Sequence, residues 1–473
     1  MYEKKYVKYQ GRLVFVGFGS IGQGSLPLLL RHIDMPRDRI CIITGDERGA
    51  EEAKYFGISH TVKPLTRTNY RTVLNPLLGK GDFLLNLSVD VSSVALIEYC
   101  YKKGVMYLDT CIEPWVGGYT DPRVSASRRS NYGLREEVLA LRRKYPGGGP
   151  TVIPTHGANP GLISHWVKQA LVNLARDIKN SDVFPKSREE WARLAMELGV
   201  KVIHCAERDT QTPNPPKRRG EFVNTWSVDG FVGEGTQPCE LGWGTHENHF
   251  PRDGKHHDFG CKAAIYLTRP GASVRVRSWT PMEGHYHGFL ITHGEAISIS
   301  DFYTVHDGRK KVVYRPTCHY AYHPCDNTVL SVHEYAGKNW SLPESKRILM
   351  DEIYEGIDEL GALLMGHAKG AYWYGSQLSV HEARKLAPFN NATSLQVAAG
   401  VMGAVIWAME NPQRGICDPD DLDFQRVLRI AKPYLGKVIG AYSDWNPLKD
   451  RGNLFPEDVD NSDPWQFKNF RVV

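Results

Sequence analysis

The sequence predicts an α/β fold: an N-terminal Rossmann-type, doubly wound parallel sheet, followed by a second α+β domain with a mixed sheet. Short apolar runs alternate with helical patterns from residue 12 to about residue 155, which is typical of a parallel sheet covered on both faces. From about residue 200 to residue 340 the chain is instead rich in glycine, aromatic and β-branched residues. This change favours a separate domain with strands in a mixed sheet.

Each apolar run in the first domain, predicted as residues 1–160, marks one strand. The strands are predicted at 12–16, 40–44, 59–63, 83–87, 105–108 and 151–153, with helices that include 91–103 and 133–144. The run Pro146-Gly-Gly-Gly-Pro150 is expected to be a loop before the sixth strand rather than a domain linker.

The second domain is predicted as residues 161–384, and it begins with a long helix that ends near Arg176. Strands are predicted at 263–268, 273–278, 289–292 and 311–314, and an amphipathic helix at 346–366. Residues 393–409 are small and apolar on nearly all sides, so they predict a buried helix. We expect this helix, within about 385–415, to pack back on the first domain, and residues 416–473 to form a C-terminal extension.

A glycine-rich turn joins the first predicted strand to the first helix, in the order Gly17-Phe-Gly19-Ser-Ile-Gly22. The first glycine permits a tight turn, the second lets the backbone approach a pyrophosphate, and the third allows the helix to pack closely on the strand. Free N–H groups at the helix N-terminus favour negative charge. The motif therefore predicts a dinucleotide site that includes Gly17, Gly19, Ser20, Ile21 and Gly22.

The second predicted strand ends near Asp46, about 20 residues beyond the glycines. A carboxylate at this place can bind both ribose hydroxyls and would repel a 2′-phosphate, so it favours NAD over NADP. Arg48, two residues further along, argues in the other direction, because an arginine there could bind the 2′-phosphate of NADP. The alternative for Asp46 is a loop acid that opens the next helix.

Composition and charge argue against several classes of protein. The 473 residues include 41% hydrophobic and 23% charged residues, and their net charge of +5 comes from basic runs that lie far apart, which gives nucleic-acid binding little support. We find no apolar run of the roughly 18 residues that a membrane span needs and no apolar leader segment. The nine cysteines are scattered without a framework, which fits a reducing cytoplasm.

Polar residues follow three predicted parallel strands at their carboxyl ends, where ligands bind in open α/β sheets. Asp90 and Asn159 could instead only cap the helices that follow them, whereas Glu113 has no evident capping role. The predicted residues of these loops, which should converge on the nicotinamide end of the cofactor, are Ser88, Asp90, Asp109, Thr110, Glu113, Thr155 and Asn159.

The second domain adds acids beside an indole, namely Glu207, Trp226 and Glu234. Carboxylates around an aromatic ring suit an aliphatic diammonium ligand, because the ring face attracts a cation as well. The alternative is a solvated strand face with a core tryptophan.

The histidines divide into one candidate for proton transfer and several without a site pattern. His293 follows a predicted strand and is the better candidate for proton transfer, although it could be only a hydrogen-bonded strand-end residue. The other histidines and cysteines lack the paired spacing of a metal site, so no metal is predicted.

Several of these motifs together resemble the bacterial homospermidine synthase family, which is related to saccharopine dehydrogenases. The resemblance extends over essentially the whole chain, and its motifs are Val16-Gly-Phe-Gly-Ser-Ile-Gly-Gln23, Leu108-Asp-Thr-Cys-Ile-Glu-Pro-Trp115, Thr155-His-Gly-Ala-Asn-Pro-Gly161, Ala206-Glu-Arg-Asp209, Asn224-Thr-Trp-Ser-Val-Asp-Gly230 and Gly356-Ile-Asp-Glu-Leu-Gly361.

The resemblance implies tightly held NAD and a reaction without net redox change. In that family putrescine is oxidised to an imine, ammonia leaves, a second diamine (putrescine or spermidine) adds, and the same NADH reduces the new imine. By motif, Trp226 would be the cation-binding ring, the acids Glu207, Glu234, Glu113 and Asp358 would hold ammonium ends, and Asp90, Asn159 and His293 would lie at the inner site. A homodimer is expected from the family alone.

The group that takes the amine proton stays open at this stage. His293 is the first choice for the base, with Asp90 or Glu207 as alternatives. Two other functions also remain: a reductive-condensation enzyme of the saccharopine dehydrogenase or carboxynorspermidine synthase type, which should place an arginine near the nicotinamide, and a non-catalytic NAD sensor, for which the acids and the indole would have no purpose.

Overall fold

A computed structural model describes residues 4–341 and 343–472. The N-terminal part alternates strands and helices as predicted. Its strands are β1 Val7–Lys8, β2 Leu13–Val16, β3 Ile33–Asp34, β4 Ile40–Thr44, β5 Ser59–Val62, β6 Phe83–Asn86, β7 Met106–Asp109 and β8 Val152–Ile153, and its helices are α1 Ser20–His32, α2 Ala50–Tyr55, α3 Tyr70–Leu74, α4 Ser93–Lys103 and α5 Asn131–Lys144.

Six of these strands form one parallel sheet in the order β5-β4-β2-β6-β7-β8. All its pairings are parallel, and the central strands β2 and β6 are buried along their whole length because helices cover both faces. This is the strand order of a dinucleotide-binding domain, so the prediction of a Rossmann-type sheet is confirmed. The order reverses between β2 and β6, which opens a crevice at the carboxyl ends of these strands.

The rest of the chain builds a second, mixed sheet with helices beside it. The helices are α6 Leu162–Lys179, α7 Arg188–Leu198, α8 Val228–Thr236, α9 Gly294–Phe302, α10 Asp326–Gly337, α11 Val380–Leu386, α12 Ala392–Glu410, α13 Phe424–Ala431 and α14 Phe467–Phe470. The strands are β9 Val202–Asp209, β10 Thr212–Pro213, β11 Glu221–Asn224, β12 Pro238–Gly242, β13 Gly254–His256, β14 Ala264–Pro270, β15 Arg275–Thr280, β16 Gly284–Phe289, β17 Val305–His306, β18 Val312–Tyr314, β19 Thr317–His323, β20 Ser345–Ile348, β21 Ile353–Glu355, β22 Ile357–His367, β23 Gly370–Ser379, β24 Lys437–Ser443 and β25 Arg471–Val472.

The large sheet runs in the order β13-β14-β12-β19-β9-β22-β23-β24, with β15, β16 and β25 attached beside it. Strands β9 and β19 are parallel, whereas β9 and β22 are antiparallel, so the prediction of a mixed sheet is confirmed. The carboxyl ends of β9 and β19 point towards the first domain's crevice, where side chains from both sheets line one cavity.

The predicted amphipathic helix at 346–366 is wrong. Strands β20, β21 and β22 occupy this stretch, and β22 lies between β9 and β23 with nearly every residue buried. A central strand that is covered on both faces gives a continuous apolar run, which periodicity alone does not separate from a helix. Gly361 leaves space beside β22 for the ring of Trp373 on the neighbouring strand β23, since a Cβ at residue 361 would lie 2.4 Å from that ring.

Helix α12 confirms the prediction of a buried helix at 393–409. It packs against α1 of the first domain and against α13, and nearly all of its side chains are buried. By length and composition this helix could cross a membrane, but 94% of its apolar window is buried inside the protein. Its apolar surface is therefore used by the core of the fold.

Smaller differences concern the ends of elements. The strand predicted at 289–292 is β16 and ends at Phe289, and the strand predicted at 311–314 is β18, which pairs with β17 apart from the large sheet. The segment 416–473 contributes β24 and β25 to the large sheet. The domain limits at residues 160 and 384 remain a prediction.

Candidate active site

A cavity of about 280 Å³ lies between the carboxyl ends of the parallel strands and the second sheet. Its walls are formed by the glycine turn, by the loops after β4, β6, β7 and β8, by β9, α8, β19 and α12, and by the residue before α9. The predicted site residues that line it are Gly17, Gly19, Ser20, Ile21, Asp46, Ser88, Thr110, Glu113, Asn159, Glu207, Trp226, Glu234 and His293. The cavity thus joins the glycine turn to the acids and the indole.

The glycine turn presents open backbone to this cavity. Gly17 has a φ of 83°, and a Cβ there would lie 2.7 Å from the backbone of Ser88. A Cβ on Gly19 would meet no protein atom within 4 Å, so this face of the turn can receive a ligand. Gly22 lies outside the lining and packs against Phe18, where a Cβ would lie 2.9 Å from the ring. These positions suit a phosphate group at the N-terminus of α1.

Asp46 lies just beyond β4 and is held by Arg48. The Arg48 Nε donates to Asp46 Oδ2 at 2.8 Å, and its backbone N–H donates to Oδ1 at 3.0 Å. This side-chain hydrogen bond is the main reason why the pKa of Asp46 lies below its ordinary value. The carboxylate therefore stays ionised at the cavity wall, and Arg48 is already paired.

Neither Asp90 nor Asn159 caps a helix. Helix α4 is capped by Ser92, whose side chain accepts from Ala95 N–H, and α6 begins after Gly161. The capping alternative is therefore wrong for both residues. Instead, Asn159 Nδ2 donates to Glu207 Oε2 at 3.3 Å, while Asp90 has a φ of 62° and lies exposed beside Glu113, near the cavity rim.

Glu207 lies on β9 with its carboxylate buried in the cavity wall. Besides Asn159, the hydroxyl of Tyr320 on β19 donates to its Oε2. Glu207 and Tyr320 can meet because β9 and β19 lie side by side as a parallel pair. Burial raises the pKa of Glu207 to about 8, although the bond from Tyr320 opposes this shift. A carboxylate of this kind can exchange a proton near neutral pH.

Glu113 and Glu234 bring two further carboxylates to the cavity from different domains. Burial, followed by the charges of Glu234 and Asp90, raises the pKa of Glu113 to about 8. The thiol of Cys111 lies 3.9 Å from Glu234 Oε1, and its pKa is raised by burial and by the neighbouring carboxylates. So many carboxyl groups in one buried place favour a cationic ligand, which would stabilise their ionised form.

Trp226 lines the cavity with its indole ring, which is half-buried. Its Nε1–H donates to the hydroxyl of Tyr322 at 3.2 Å, and Phe231 lies behind it with ring centroids 6.0 Å apart. Tyr322 in turn stacks on Tyr320 at 5.0 Å. The ring is therefore held in place by its edge while it forms part of the cavity wall.

His293 precedes α9 and lies between two carboxylates. Its Nε2 is 3.0 Å from Glu234 Oε2, and its Nδ1 is 3.2 Å from Glu295 Oε1. Burial by itself would lower the pKa of His293, but the charges of Glu295 and Glu234 outweigh it and raise the pKa well above the ordinary value. This environment suits a proton donor better than the base that the sequence suggested.

Besides Gly22 and Asp90, three further predicted site residues do not line the main cavity. Asp109 is 1% exposed and accepts from Thr155 N–H at 2.6 Å and from the Tyr107 hydroxyl at 2.6 Å, so it positions the Thr155 loop. Thr155 lines a small adjoining cavity together with His293. Asp358 on β22 is fully buried and accepts from the Thr393 hydroxyl at 2.5 Å. Burial, with the charges of Glu207 and Asp209, raises the pKa of Asp358 well above its ordinary value.

Sequence reasoning missed Tyr320, Cys111 and Thr393, all of which line the cavity. The alternation of β19 offered one signal, because Tyr320 and Tyr322 must share a face of the strand while His319 lies on the other face. His319 indeed lies against His204 inside the core, with ring centroids 4.0 Å apart and the ring planes tilted by 37°. Within residues 4–341 and 343–472, the structure contains no group of three or more histidine, cysteine or acidic residues that could hold a metal ion.

Comparisons with known proteins agree with this arrangement. The saccharopine dehydrogenase NADP binding domain model matches residues 13–153, and the saccharopine dehydrogenase C-terminal domain model matches residues 157–442. A homospermidine synthase from Blastochloris viridis is 53% identical over 99% of this chain and 98% of its own length. Another from Mesorhizobium japonicum is 50% identical over 99% of this chain and 97% of its own.

A solved structure is similar over its full length as well. The homospermidine synthase of Legionella pneumophila, determined in complex with NAD, superposes with a TM-score of 0.92 at 49% identity, covering 98% of each chain. The sequence matches extend over 99% of this chain and therefore over both the glycine turn and the second sheet. The chain belongs to the homospermidine synthase family, within the group of proteins that share the saccharopine dehydrogenase domains.

Proposed function

We propose that this protein is an NAD-dependent homospermidine synthase, which transfers an aminobutyl group from putrescine, or from spermidine, to a second putrescine. The observation that carries the proposal is the cavity itself, which Glu113, Glu207 and Glu234 line together with the ring of Trp226 and the glycine turn. Such a set can hold a diammonium ligand against a dinucleotide. The relatives named above support the same activity.

The residues around the glycine turn fit NAD. Gly17 permits the tight turn beside Ser88, and Gly19 leaves room for a pyrophosphate. Ser20 and Ile21 place the N-terminus of α1 beside it, and Asp46 would hold the ribose diol. When bound, NAD supplies an acceptor that takes a hydride from the amine and gives it back to the new imine.

The protein's own groups would hold one end of putrescine as a cation and deprotonate the other end. A free alkylammonium has a pKa near 10.4, so a carboxylate with an ordinary pKa is a poor acceptor. The raised pKa of Glu207, about 8, reduces this mismatch, and hydrogen bonds from Asn159 and Tyr320 hold its carboxylate at the cavity wall. We therefore assign the base to Glu207, and the outer ammonium to Trp226 and the Glu113–Glu234 pair. The buried walls would keep water from the imine.

A saccharopine-type reaction with a carboxylate substrate has less support. Among the described residues that line the cavity, Arg48 is the one arginine or lysine, and Asp46 already pairs with it. A substrate carboxylate would need a free arginine to bind it. It would also meet the carboxyl groups of Glu113, Glu207 and Glu234, beside which a further negative charge is unfavourable.

The direct test incubates the purified protein with putrescine and catalytic NAD, followed by mass spectrometry of the products. We expect homospermidine in large excess over the cofactor, without accumulation of NADH. A product that forms only with added NADH would indicate a reductive-condensation enzyme. No turnover of any diamine, with NAD bound, would indicate a sensor.

Replacement of Asp46 by alanine should weaken NAD binding and narrow its advantage over NADP, because the diol loses its partner and Arg48 is freed for a 2′-phosphate. Isothermal titration of both cofactors measures this change. Glu47→Ala, one position further and outside the lining, is the matched control. Equal affinity of the unmutated protein for the two cofactors would contradict the assignment to NAD.

We also propose a homodimer in the cytoplasm. Free thiols at all nine cysteines support a reducing compartment. Light scattering on the purified protein tests the assembly state.

A further inference from the structure

Glu295 is a buried carboxylate next to the cavity whose role lies beyond substrate binding. It is 1% exposed and does not line the cavity. Its Oε1 lies 3.2 Å from His293 Nδ1, and its Oε2 is buried without a hydrogen-bond partner in the described part of the chain. The thiol of Cys205 also lies beside this carboxylate, and burial together with the charge of Glu295 raises the pKa of that thiol. A buried carboxylate has a large desolvation cost, which a charged partner can offset.

Both nitrogens of His293 therefore face acceptors. Glu295 lies at Nδ1 and Glu234 at Nε2, so each nitrogen must carry a proton for both contacts to be hydrogen bonds. The ring of Tyr320 lies 4.3 Å from the imidazole, and this aromatic contact is favourable for a cation as well. A neutral imidazole would leave one carboxylate facing a lone pair.

The remaining charged groups around His293 come from the neighbouring elements. Arg135 of α5 lines the small adjoining cavity, but it is paired with Asp301 and Asp418. The titratable groups that face or neighbour His293 are Glu234 of α8, Glu295 of α9, Glu207 of β9, Tyr320 of β19, Cys111 after β7, and Arg135 with its partner Asp418. Negative charge predominates in this set.

A substrate in the cavity can reach only one of the two carboxylates that flank His293. Glu234 lines the cavity, so an entering ammonium competes with His293 for it, whereas Glu295 stays out of reach. We propose that Glu295 is a positioning residue that keeps His293 as an imidazolium with its Nε2–H turned to the cavity, so that His293 acts as the acid that protonates the departing ammonia. This inference rests on the proposed function for the step it assigns.

In this step the second diamine adds to the imine carbon before ammonia leaves, which reverses the order that the resemblance implies. The lone pair of the added nitrogen then forms the new C=N bond while the old C–N bond breaks. The departing nitrogen keeps the bonding electrons and takes the proton from His293 Nε2, so it leaves as neutral ammonia. The products are an iminium and a neutral imidazole, which regains a proton from the cavity acids.

Glu295→Gln tests this role, because the amide keeps the shape but removes the charge. Loss of a neighbouring charge lowers the pKa of a histidine by about 1–3 units. An acid works only when protonated, so its contribution is lost as pH rises through its pKa. We expect the alkaline limb of the kcat profile to move to lower pH by about 1–3 units, with little change in the acid limb or in bound NAD.

A role of His293 as the base would shift a different limb of the pH profile. If His293 were the base, Glu295→Gln would leave the alkaline limb in place and move the acid limb to lower pH, which would overturn the proposal. A merely structural role would lower activity equally at all pH values and would also overturn it. In the His293→Gln background, the proposal predicts that Glu295→Gln no longer shifts either limb.

Nuclear magnetic resonance of protein labelled with ¹⁵N-histidine reads the same property without turnover. His293→Gln identifies the resonances among the 18 histidines, and we expect imidazolium shifts for His293 at pH 8 in the unmutated protein and neutral shifts in Glu295→Gln. A neutral His293 in the unmutated protein would refute the role of Glu295. Because this readout needs no product, it stays decisive even if homospermidine is not formed.

Discussion

Replacement of Trp226 by alanine is expected to lower kcat/KM for putrescine by roughly 1–3 kcal/mol of transition-state stabilisation, because a desolvated cation–π contact and the positioning of the ammonium are lost together. Phenylalanine keeps an aromatic face of weaker quadrupole and loses the Nε1–H bond to Tyr322. The activities should therefore decrease in the order Trp, Phe, Ala. Steady-state kinetics with putrescine measures this series.

The same variant must remain folded for the result to report on the site. Trp243, another half-buried tryptophan of the second domain, packs against Phe250 and Phe467 outside the cavity, so Trp243→Ala controls for the loss of an indole. We expect Trp226→Ala to bind NAD and melt normally while it turns over putrescine poorly. A fully active Trp226→Ala, or one that fails only because it unfolds, would show that the ring is not the cation site.

Replacement of Glu207 by glutamine should have a larger effect, with a loss of about 10²–10⁴-fold in kcat, because the proposed base can no longer take the amine proton. The side chains of Tyr320 and Asn159 can donate to the amide oxygen of the glutamine as they do to the carboxylate, so the new side chain should keep the position of Glu207. In the unmutated protein Glu207 must be ionised to act, so kcat/KM should fall as the pH drops below about 8. This acid limb should disappear in the variant.

Glu247 offers a matched control for this experiment. It is also a buried glutamate of the second domain, with a pKa that burial raises to about 7, and it bonds to Thr317 and to the backbone of Phe467 rather than lining the cavity. Glu247→Gln should retain activity and its pH profile. If Glu207→Gln kept more than a tenth of the activity with the acid limb in place, the base would have to be another group.

The first domain could be predicted closely because its strands are local, apolar and separated by helices. Gly17 and Gly19 likewise predicted the dinucleotide turn. Gly17 has a positive φ that side chains rarely adopt, and a side chain on Gly19 would occupy the open space that a ligand needs. The helix predicted at 346–366 failed because β22 pairs with β9 and packs against α6, and both of these elements are far away in sequence. No local pattern contains that information.

The site shows the same limit at the level of single side chains. Asp90 and Asn159 precede helices, and only the structure places the cap of α4 on Ser92 and the side chain of Asn159 on Glu207. The neighbours of His293 decide its protonation, and Glu234 is 59 residues away in sequence. Sequence reasoning could therefore nominate His293 for proton transfer, but not whether it gives or takes the proton.

The fate of the hydrogen on the reacting carbon tests the central claim most directly. Putrescine deuterated at both carbons next to nitrogen is supplied to the protein in the presence of excess unlabelled NADH, and the homospermidine is analysed by mass spectrometry. If bound NAD accepts the deuterium from putrescine and returns it to the same carbon when the new imine is reduced, the product keeps all of its deuterium. A product in which one deuterium per molecule has been replaced by hydrogen would show reduction by cofactor from solution, and it would contradict a redox-neutral transfer on a retained cofactor.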